Sequence, residues 1–400
     1  MDKLTNDQKN VLDDCISSIK RGQQVYEYDG KAGTGKTFLM KEIVKALGIP
    51  DERVLPMAYT GAAASVLRKK GFGSATTLHS GLYRPEIVDN PKYDPHDCDP
   101  QTGLPRQPKS ILKFIPREEL IGIELIVIDE GYMCPRYMKP IIEKFGIPVI
   151  VTGDKHQLPP VKSDPAYLYK SDILSLTQIM RQEEKNPIVT IANMILNDIP
   201  VRPGLYGNKV WVAKESEFKY EYMLKSPLVL SPTNRIRDIL NLKIREMLGH
   251  STRLPEYGER VICRKNNHSI EVDGIELCNG LIGYCVSDPN LSYEHKSTFR
   301  MDFLPDISFN PFDNLKCDYY YFIGDKDKRK MILNQPWSNG EKFEFAYCIT
   351  VHLAQGSEAH SGVYFRDRVY GGRDNQRCMD YTAVTRFKDS FIMVVPDNYY

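Results

Sequence analysis

The sequence has almost no net charge, no paired-cysteine motif and no long apolar run. Its 53 lysines and arginines against 52 acidic residues leave a formal charge of +1, so any basic groove for nucleic acid must be local. The nine cysteines include no C-x-x-C pair, which argues against a zinc module and favours buried thiols in a reducing, cytoplasmic compartment. No run is long enough to span a bilayer and residues 1–5 begin no apolar signal segment, so we expect no membrane partner.

The clearest motif lies at residues 30–37, GKAGTGKT, which fit the phosphate-binding pattern G-x-x-x-x-G-K-[S/T] at every fixed position. A strand-like alternation precedes it, and an amphipathic helix from about Lys36 to Gly48 follows, which is the context that such a loop requires. The glycines let backbone N–H groups point inward at phosphate oxygens. We expect Lys36 to neutralise the β- and γ-phosphates and Thr37 to bind Mg²⁺. The residues expected to bind the nucleotide here are Gly30, Ala32, Gly33, Thr34, Gly35, Lys36 and Thr37.

Two acidic residues follow a second buried strand. Residues 123–128 (IELIVI) form a near-continuous apolar run, typical of a parallel strand, and it ends at Asp129 and Glu130. Because ligands bind at the carboxyl ends of such strands, we expect Asp129 to hold Mg²⁺ through water and Glu130 to orient or deprotonate a water molecule. Gln157, after a further strand at 148–152, is within reach of the γ-phosphate.

Other polar residues fit both a structural and a functional interpretation. Gln8 stands three residues after Thr5, a spacing that favours a helix capping box over a ligand contact. The small residues 60–64 (TGAAA) fit either tight packing or the close approach of another backbone. A lone His79 is typically structural, and Arg181 fits either a surface ion pair or a group that stabilises charge on a transferred phosphate.

Two stretches interrupt the alternation of strands and helices. Residues 84–116, rich in proline and acidic residues, are too long for an ordinary connection and predict an inserted hairpin or small subdomain, with a solvated loop favoured over a metal site. Residues 258–339 have short alternating runs and predict a small β-rich insertion. We therefore predict an α/β fold with two core domains, one formed by 1–83 with 117–180 and the other by 181–257 with 340–400.

The order of these motifs resembles the superfamily 1 helicases of the B type, close to the phage Dda helicase and the helicase core of the RecD family. The resemblance extends from Leu4 to Val395. It depends on residues 30–37 together with 153–161 (GDKHQLPPV), 352–358 (HLAQGSE) and 381–386 (YTAVTR), the last of which we interpret as a helix start. It implies that both core domains are RecA-like and that the first insertion occupies the place of a strand-separating pin.

The resemblance also implies roles for single residues. Gln8 matches a glutamine that reads adenine, and Arg181 and Arg386 match two arginines that reach the γ-phosphate from the second core domain. Lys36, Thr37, Asp129, Glu130 and Gln157 match the other ATPase residues, and Gly356 and Glu358 match a segment that contacts the ribose and phosphates. The candidate DNA contacts are Thr60, His79, Asn234, Thr350 and His352, with Tyr93 as a candidate for base stacking.

The implied activity is ATP- and Mg²⁺-dependent movement from 5′ to 3′ on single-stranded DNA, with unwinding of the duplex ahead. The resemblance implies a role in replication, recombination or repair, with a single-strand-binding or replication protein as a candidate partner. Because no extra domain is recognisable at either end of the sequence, we expect a monomer. Two other functions stay open: a nucleic-acid-stimulated ATPase that displaces bound proteins, and an ATP-gated subunit of a nuclease or replication complex. RNA also stays open as the substrate, because backbone contacts discriminate sugars poorly.

Overall fold

The computed structural model describes residues 4–98, 109–170, 172–178, 186–291, 297–324, 326–333 and 340–398. Within these ranges the chain forms ten α-helices and 22 strands. The α-helices are α1 (Asn6–Lys20), α2 (Lys36–Leu47), α3 (Gly61–Lys69), α4 (Leu78–Leu82), α5 (Lys139–Glu143), α6 (Pro187–Leu196), α7 (Asn234–Met247), α8 (Tyr319–Ile323), α9 (Lys326–Leu333) and α10 (Gly372–Val384).

The strands are short and most are buried. They are β1 (Val25–Gly30), β2 (Val54–Ala58), β3 (Thr76–Thr77), β4 (Tyr83–Asp89), β5 (Ser110–Pro116), β6 (Leu125–Asp129), β7 (Val149–Gly153), β8 (Leu174–Leu176), β9 (Gly204–Tyr206), β10 (Val210–Lys214), β11 (Val229–Ser231), β12 (Arg260–Cys263), β13 (Asn267–Val272), β14 (Ile275–Leu277), β15 (Ile282–Cys285), β16 (Asn290–Leu291), β17 (Thr298–Pro305), β18 (Phe312–Asp318), β19 (Phe343–Phe345), β20 (Cys348–Thr350), β21 (Ala359–Phe365) and β22 (Phe387–Val395).

The first sheet has the strand order β3-β2-β6-β7-β1-β8, and its pairings are all parallel. Its central strands β6 and β7 are buried along their whole length, which fits strands covered on both faces by helices. Cys15 of α1, Leu39 of α2, Leu67 of α3 and Val127 of β6 share one hydrophobic core. The carboxyl ends of these parallel strands therefore meet at one edge, where the candidate phosphate loop and Asp129 both lie.

The second sheet has the strand order β20-β11-β21-β22-β10-β9, and only the pairing of β9 with β10 is antiparallel. Both sheets lie in one compact unit, formed by residues 1–82, 118–240 and 348–400. One parallel and one mostly parallel sheet, with flanking helices, confirm the predicted α/β fold.

A second compact unit comprises residues 83–117 and 241–347. Its strands β4 and β5 form an antiparallel hairpin, and β13 and β14 form another. Its main sheet runs β16-β17-β15-β12-β19, with β18 paired to β17, over an aromatic core of Phe299, Phe303, Phe312 and Phe343. The division into four domains, with boundaries at 83, 117, 181, 258 and 340, remains a proposal.

One helix boundary contradicts the prediction. Residues 381–386 were expected to start a helix, but α10 begins at Gly372 and ends at Val384, so Tyr381 lies in its last turn and Arg386 follows it. The residue before the helix, Gly371, has a left-handed backbone (φ +105°) and provides no side-chain cap. The usual Ser, Thr, Asp or Asn signal for a helix start is therefore missing from the sequence.

Arg181 and residues 99–108 of the predicted insertion lie outside the described residues. In the part of the chain that is described, no helix is long and apolar enough to cross a membrane. Those same residues contain no group of three or more His, Cys, Asp or Glu side chains that could hold a metal ion. The nine cysteines are all described and all free, and six of them are buried.

Candidate functional site

The loop at residues 30–37 has the curled backbone that its glycines predict. Gly33 and Gly35 have φ angles of +83° and +82°, in the left-handed region that glycine adopts most readily. A Cβ on Gly30 would lie 2.6 Å from Thr34 Oγ1, so a side chain there would disturb the loop. Lys36 donates from Nζ to the carbonyl oxygens of Gly30 (2.8 Å) and Lys31 (3.2 Å). Its positive charge is therefore held inside the loop.

Thr37 and Asp129 bring two oxygen ligands together beside the loop. The Thr37 hydroxyl donates to Asp129 Oδ2 at 2.9 Å, and both side chains are buried. Hydroxyl and carboxylate oxygens are ligands that Mg²⁺ prefers, and its usual place in a P-loop enzyme is at the start of the helix. The residues present therefore fit a magnesium ion. Lys70, which follows α3, donates from Nζ to the same Thr37 hydroxyl at 3.2 Å.

Glu130 follows Asp129 in a conformation that non-glycine residues rarely adopt. Its φ is +53°, which costs of order 1–3 kcal/mol and is common at functional sites. Burial, followed by the Asp129 carboxylate, raises the pKa of Glu130, while the charges of Arg386 and Lys36 act in the opposite direction. Glu130 is therefore a carboxylate with raised proton affinity that lies within electrostatic reach of two cations.

The segment that follows β7 joins the two sheets through buried hydrogen bonds. Tyr381 of α10 donates its hydroxyl to Asp154 Oδ2 at 2.7 Å, and Leu158 donates its N–H to Thr382 Oγ1 at 2.9 Å. Gln355, from the loop after β20, donates from Nε2 to the Leu158 carbonyl at 3.1 Å. The segment 154–158 is thereby fixed by residues of α10 and of the loop after β20, which are connected to strands of the second sheet.

Gln157 lies inside this segment and is 3% exposed. Its Oε1 is buried and has no hydrogen-bond partner among the described residues. Such an orphaned acceptor costs about 1–3 kcal/mol, and a bound water or ligand donor would satisfy it.

Arg386 is 4% exposed and is held by main-chain oxygens. Its Nε donates to the Thr382 carbonyl (3.1 Å) and its Nη1 to the Ser357 carbonyl (3.3 Å). Its charge lowers the pKa of Glu130, so a buried cation from the turn between α10 and β22 acts on the acidic residue that follows β6.

Gln8 contacts both the start of its own helix and the phosphate loop. Its backbone and side chain form the capping box with Thr5, as predicted. Its Nε2 also donates to the Thr34 carbonyl at 3.1 Å, which ties α1 to the phosphate loop.

Gly356 approaches the start of α3 closely. A Cβ built on it would lie 2.5 Å from Ala63 Cβ and 2.8 Å from Ala63 Cα, and its φ is +82°. The small residues at 60–64 therefore do admit another backbone. Glu358, two residues on, pairs with Lys388 at 2.8 Å.

The candidate DNA contacts fall into different environments. Thr60 caps α3 and donates to the Gln355 carbonyl at 3.3 Å, so it lies beside the loop that carries His352. Burial lowers the pKa of both His79 and His352, so they are neutral at pH 7 and offer hydrogen bonds without charge. Thr350 is buried, Asn234 is exposed, and Tyr93 lies half-buried in the loop of the other compact unit.

A pocket lies beside the phosphate loop, with about 550 Å³ of open space. Residues 31–33 line one side, and Asn193 of α6, Tyr381 and Lys388 line the other. Lys31 Nζ donates to Asn193 Oδ1 at 3.2 Å, a contact that joins the loop to α6.

Sequence reasoning missed three contributors to this site: Lys70, Gln355 and Thr382. Tyr381, Thr382 and Gln355 stand inside segments that carry the resemblance, but no local pattern shows which partner each one contacts. Lys70 stands in no motif, and its contact with Thr37 appears only when α3 is packed beside α2.

Comparison with known proteins agrees with this arrangement. Residues 3–200 match a family model described as an AAA domain. The ATP-dependent DNA helicase PIF1 of Xenopus laevis is 30% identical over 198 residues, covering 46% of this chain and 28% of that protein. The ATP-dependent DNA helicase dda of Enterobacteria phage T4 is 27% identical over 208 residues, covering 49% of this chain and 43% of that protein. The chain thus spans less than half the length of these relatives over the matched regions.

A solved structure of Bacteroides Pif1 bound to single-stranded DNA aligns with a TM-score of 0.56 and 17% identity, covering 98% of this chain and 92% of that one. At this identity the likeness shows the fold alone, which this chain shares with that structure. The chain is therefore similar in sequence and in fold to the Pif1 and Dda proteins, and the resemblance inferred from its motifs is confirmed.

Proposed function

We propose that this relative of the Pif1 and Dda helicases is an ATP-dependent DNA helicase of superfamily 1, type B, that moves from 5′ to 3′ on single-stranded DNA. The observation that carries the proposal is a divided site. The phosphate loop and Glu130 follow strands of the first sheet and Asp129 ends one of them, whereas the buried cation Arg386 that acts on Glu130 directly precedes β22 of the second sheet. A site whose parts come from two sheets suits an enzyme that links hydrolysis to movement of one sheet against the other.

In this proposal each polar group has one task. Lys36 and the N–H groups of residues 30–35 hold the β- and γ-phosphates of ATP. Thr37 and Asp129 would hold Mg²⁺, which supplies charge neutralisation on the phosphates. Glu130 accepts a proton from the attacking water, because its raised pKa makes it a stronger base than an ordinary glutamate. The amide of Gln157 donates to the γ-phosphate or to that water.

The remaining contacts to the nucleotide come from both sheets. Arg386, and with it Arg181, stabilises negative charge on the γ-phosphate as hydrolysis proceeds. Gln8 reads the adenine edge from its position against the phosphate loop. Gly356 and Glu358 contact the ribose and phosphates.

Movement follows from the contacts that join the sheets. Segment 154–158 carries Gln157 and is bonded to Thr382, Tyr381 and Gln355, so a change at the γ-phosphate reaches the second sheet directly. The strand contacts are Thr60, His79, Asn234, Thr350 and His352, and they act mainly on the DNA backbone, without sequence preference.

The four-domain division belongs to the same proposal. Residues 1–83 with 117–180 and 181–257 with 340–400 are the two motor domains, and 258–339 is an accessory insertion. The β4–β5 hairpin at 84–116 is the pin that separates the strands, with Tyr93 stacking on a base. The enzyme acts as a monomer in the cytoplasm on single-stranded DNA and duplex junctions, with a single-strand-binding or replication protein as a partner.

The test is ATP-dependent strand separation on duplexes with either a 5′ or a 3′ single-stranded tail. Opening of the 5′-tailed duplex alone is the expected result. Opening of the 3′-tailed duplex alone would overturn the polarity, and DNA-stimulated hydrolysis without opening would favour an ATPase that displaces bound proteins.

The variant that tests the ATPase site is Lys36→Ala, which is expected to abolish ATP hydrolysis while it leaves DNA binding largely intact. Lys45→Ala on the same helix is the control, because Lys45 is exposed in the last turn of α2. Retained turnover in Lys36→Ala would contradict the assignment of the site.

A further inference from the structure

A lysine outside every motif reaches the candidate metal ligands. Lys70 follows the last residue of α3, and its chain position is exposed. Its ammonium nevertheless lies 3.2 Å from Thr37 Oγ1, which in turn donates to Asp129 Oδ2 at 2.9 Å. The ammonium, the hydroxyl and the carboxylate therefore form one continuous chain of hydrogen bonds.

The charges around this chain explain why a cation lies there. Asp129 is 8% exposed and Glu130 is the next residue, so two adjacent carboxyl groups lie where contact with water is restricted. Lys36 directs its ammonium to the carbonyl oxygens of Gly30 and Lys31, on the loop side. Lys70 brings positive charge to the side where Thr37 and Asp129 present their oxygens.

The Thr37 hydroxyl cannot bind the Lys70 ammonium and a metal ion favourably at the same time. Its hydrogen is used toward Asp129 and its oxygen accepts from Lys70, so a metal ion bound by the same oxygen would lie within a few ångströms of the ammonium. Like charges at such a separation repel strongly near a protein surface. Because Lys70 is attached through an exposed, flexible side chain, it can leave the hydroxyl and regain water at little cost.

We infer that Lys70 is a resident counter-cation of the metal site, which holds the Thr37 hydroxyl in the absence of metal and competes with Mg²⁺ for it. The inference rests on the proposed function, since it takes Thr37 and Asp129 as the magnesium ligands. Lys70 thereby raises the Mg²⁺ concentration at which nucleotide binds fully, and it stabilises the metal-free protein.

The experiment is an equilibrium titration with Mg²⁺ of the binding of a fluorescent ADP analogue to the full chain. Lys70→Met keeps the length of the side chain and removes its charge. In Lys70→Met, the Mg²⁺ concentration at half-maximal binding is expected to fall about two- to fivefold, the effect that an exposed charge contact produces. The difference between the variant and the wild type should shrink as ionic strength rises. Lys69→Met removes the same charge from the exposed neighbouring position and should leave the midpoint unchanged.

Thermal unfolding in EDTA without nucleotide provides a second readout. Lys70→Met is expected to unfold at a lower temperature than Lys69→Met, because the carboxylates lose their counter-cation, and Mg²⁺ with ADP should remove the difference. A folded Lys70→Met protein whose Mg²⁺ midpoint equals that of the wild type would overturn the inference. A higher midpoint would overturn it as well, because it would mean that Lys70 binds the nucleotide.

The two proposals fail in different ways. If the wild-type chain binds no nucleotide at any Mg²⁺ concentration, the proposed function and the inference are both wrong. If the wild type binds nucleotide and the Lys70→Met and wild-type titrations coincide, the inference alone is wrong.

Discussion

Replacement of Gly356 by alanine tests how closely the loop after β20 packs on α3. The added Cβ would lie 2.5, 2.8 and 3.0 Å from the Cβ, Cα and N atoms of Ala63. Two of these atoms belong to the backbone, so no side-chain rotation can relieve the contact. Gly356 also has a φ of +82°, which disfavours any residue with a Cβ.

The two effects add to a measurable loss. A left-handed conformation costs an alanine about 1–2 kcal/mol, and overpacking in a well-packed place typically costs about 1–3 kcal/mol more. We therefore expect Gly356→Ala to lower the free energy of unfolding by roughly 2–5 kcal/mol. Urea denaturation followed by circular dichroism measures this quantity, and it also shows whether the dependence on denaturant changes.

Gly249→Ala separates the two effects. Gly249 has nearly the same φ, +83°, but a Cβ there would meet no atom within 4 Å, so only the conformational cost of about 1–2 kcal/mol applies. Adding Ala63→Gly to Gly356→Ala removes the nearest contact and leaves those at Cα and N, so recovery should be partial. Equal losses of unfolding free energy in Gly356→Ala and Gly249→Ala would refute the reasoning, because the close contact with Ala63 would then contribute nothing.

Three further predictions concern single polar contacts. Tyr381→Phe leaves the buried Asp154 carboxylate without one donor and should lower the free energy of unfolding by about 1–3 kcal/mol in urea. Hydrogen bonds from His250 and then Thr252 lower the pKa of Glu256 to about 2. That stabilisation is complete above the ordinary glutamate pKa near 4.5 and is lost as pH falls toward 2, so the stability difference between Glu256→Gln and the wild type should shrink from pH 5 to pH 3. Arg386→Ala should lower kcat for ATP by about 10³-fold or more, with a smaller change in ATP affinity, in a steady-state ATPase assay.

Each of these has a control or a contradicting result. Tyr370→Phe changes a side chain that is 99% exposed and should leave stability unchanged. An equal loss of stability in Tyr370→Phe would mean that the loss in Tyr381→Phe does not come from its hydrogen bond to Asp154. A Glu256→Gln difference that stays constant between pH 5 and pH 3 would mean that charge is not its cause. Arg368→Ala changes an exposed arginine and should retain kcat, whereas an unchanged kcat in Arg386→Ala would exclude Arg386 from the transition state.

Local patterns predicted those parts of the site that are built from neighbouring residues. The strand, glycine loop and helix around residues 30–37 are continuous in sequence, and the capping box of Thr5 and Gln8 is formed within one turn, so both could be predicted. The apolar run before Asp129 likewise marks a strand that is buried on both faces. For α10 the sequence was misleading, because the residue before the helix, Gly371, provides no side-chain cap, and the buried residues of the helix all lie at 379–384, in its second half.

Contacts between the sheets could not be predicted in the same way, because no periodicity encodes which atoms meet across them. The bond from Tyr381 to Asp154 joins residues 227 positions apart, and the bond from Gln355 to Leu158 joins residues 197 apart. Both bonds end on the segment that carries Gln157, whose buried Oε1 has no partner among the described residues. A donor that satisfies this oxygen would act on a segment already fixed to the second sheet. Segment 154–158 therefore links Gln157 to α10 and to the loop after β20, and the proposed ATP-driven movement would depend on this link.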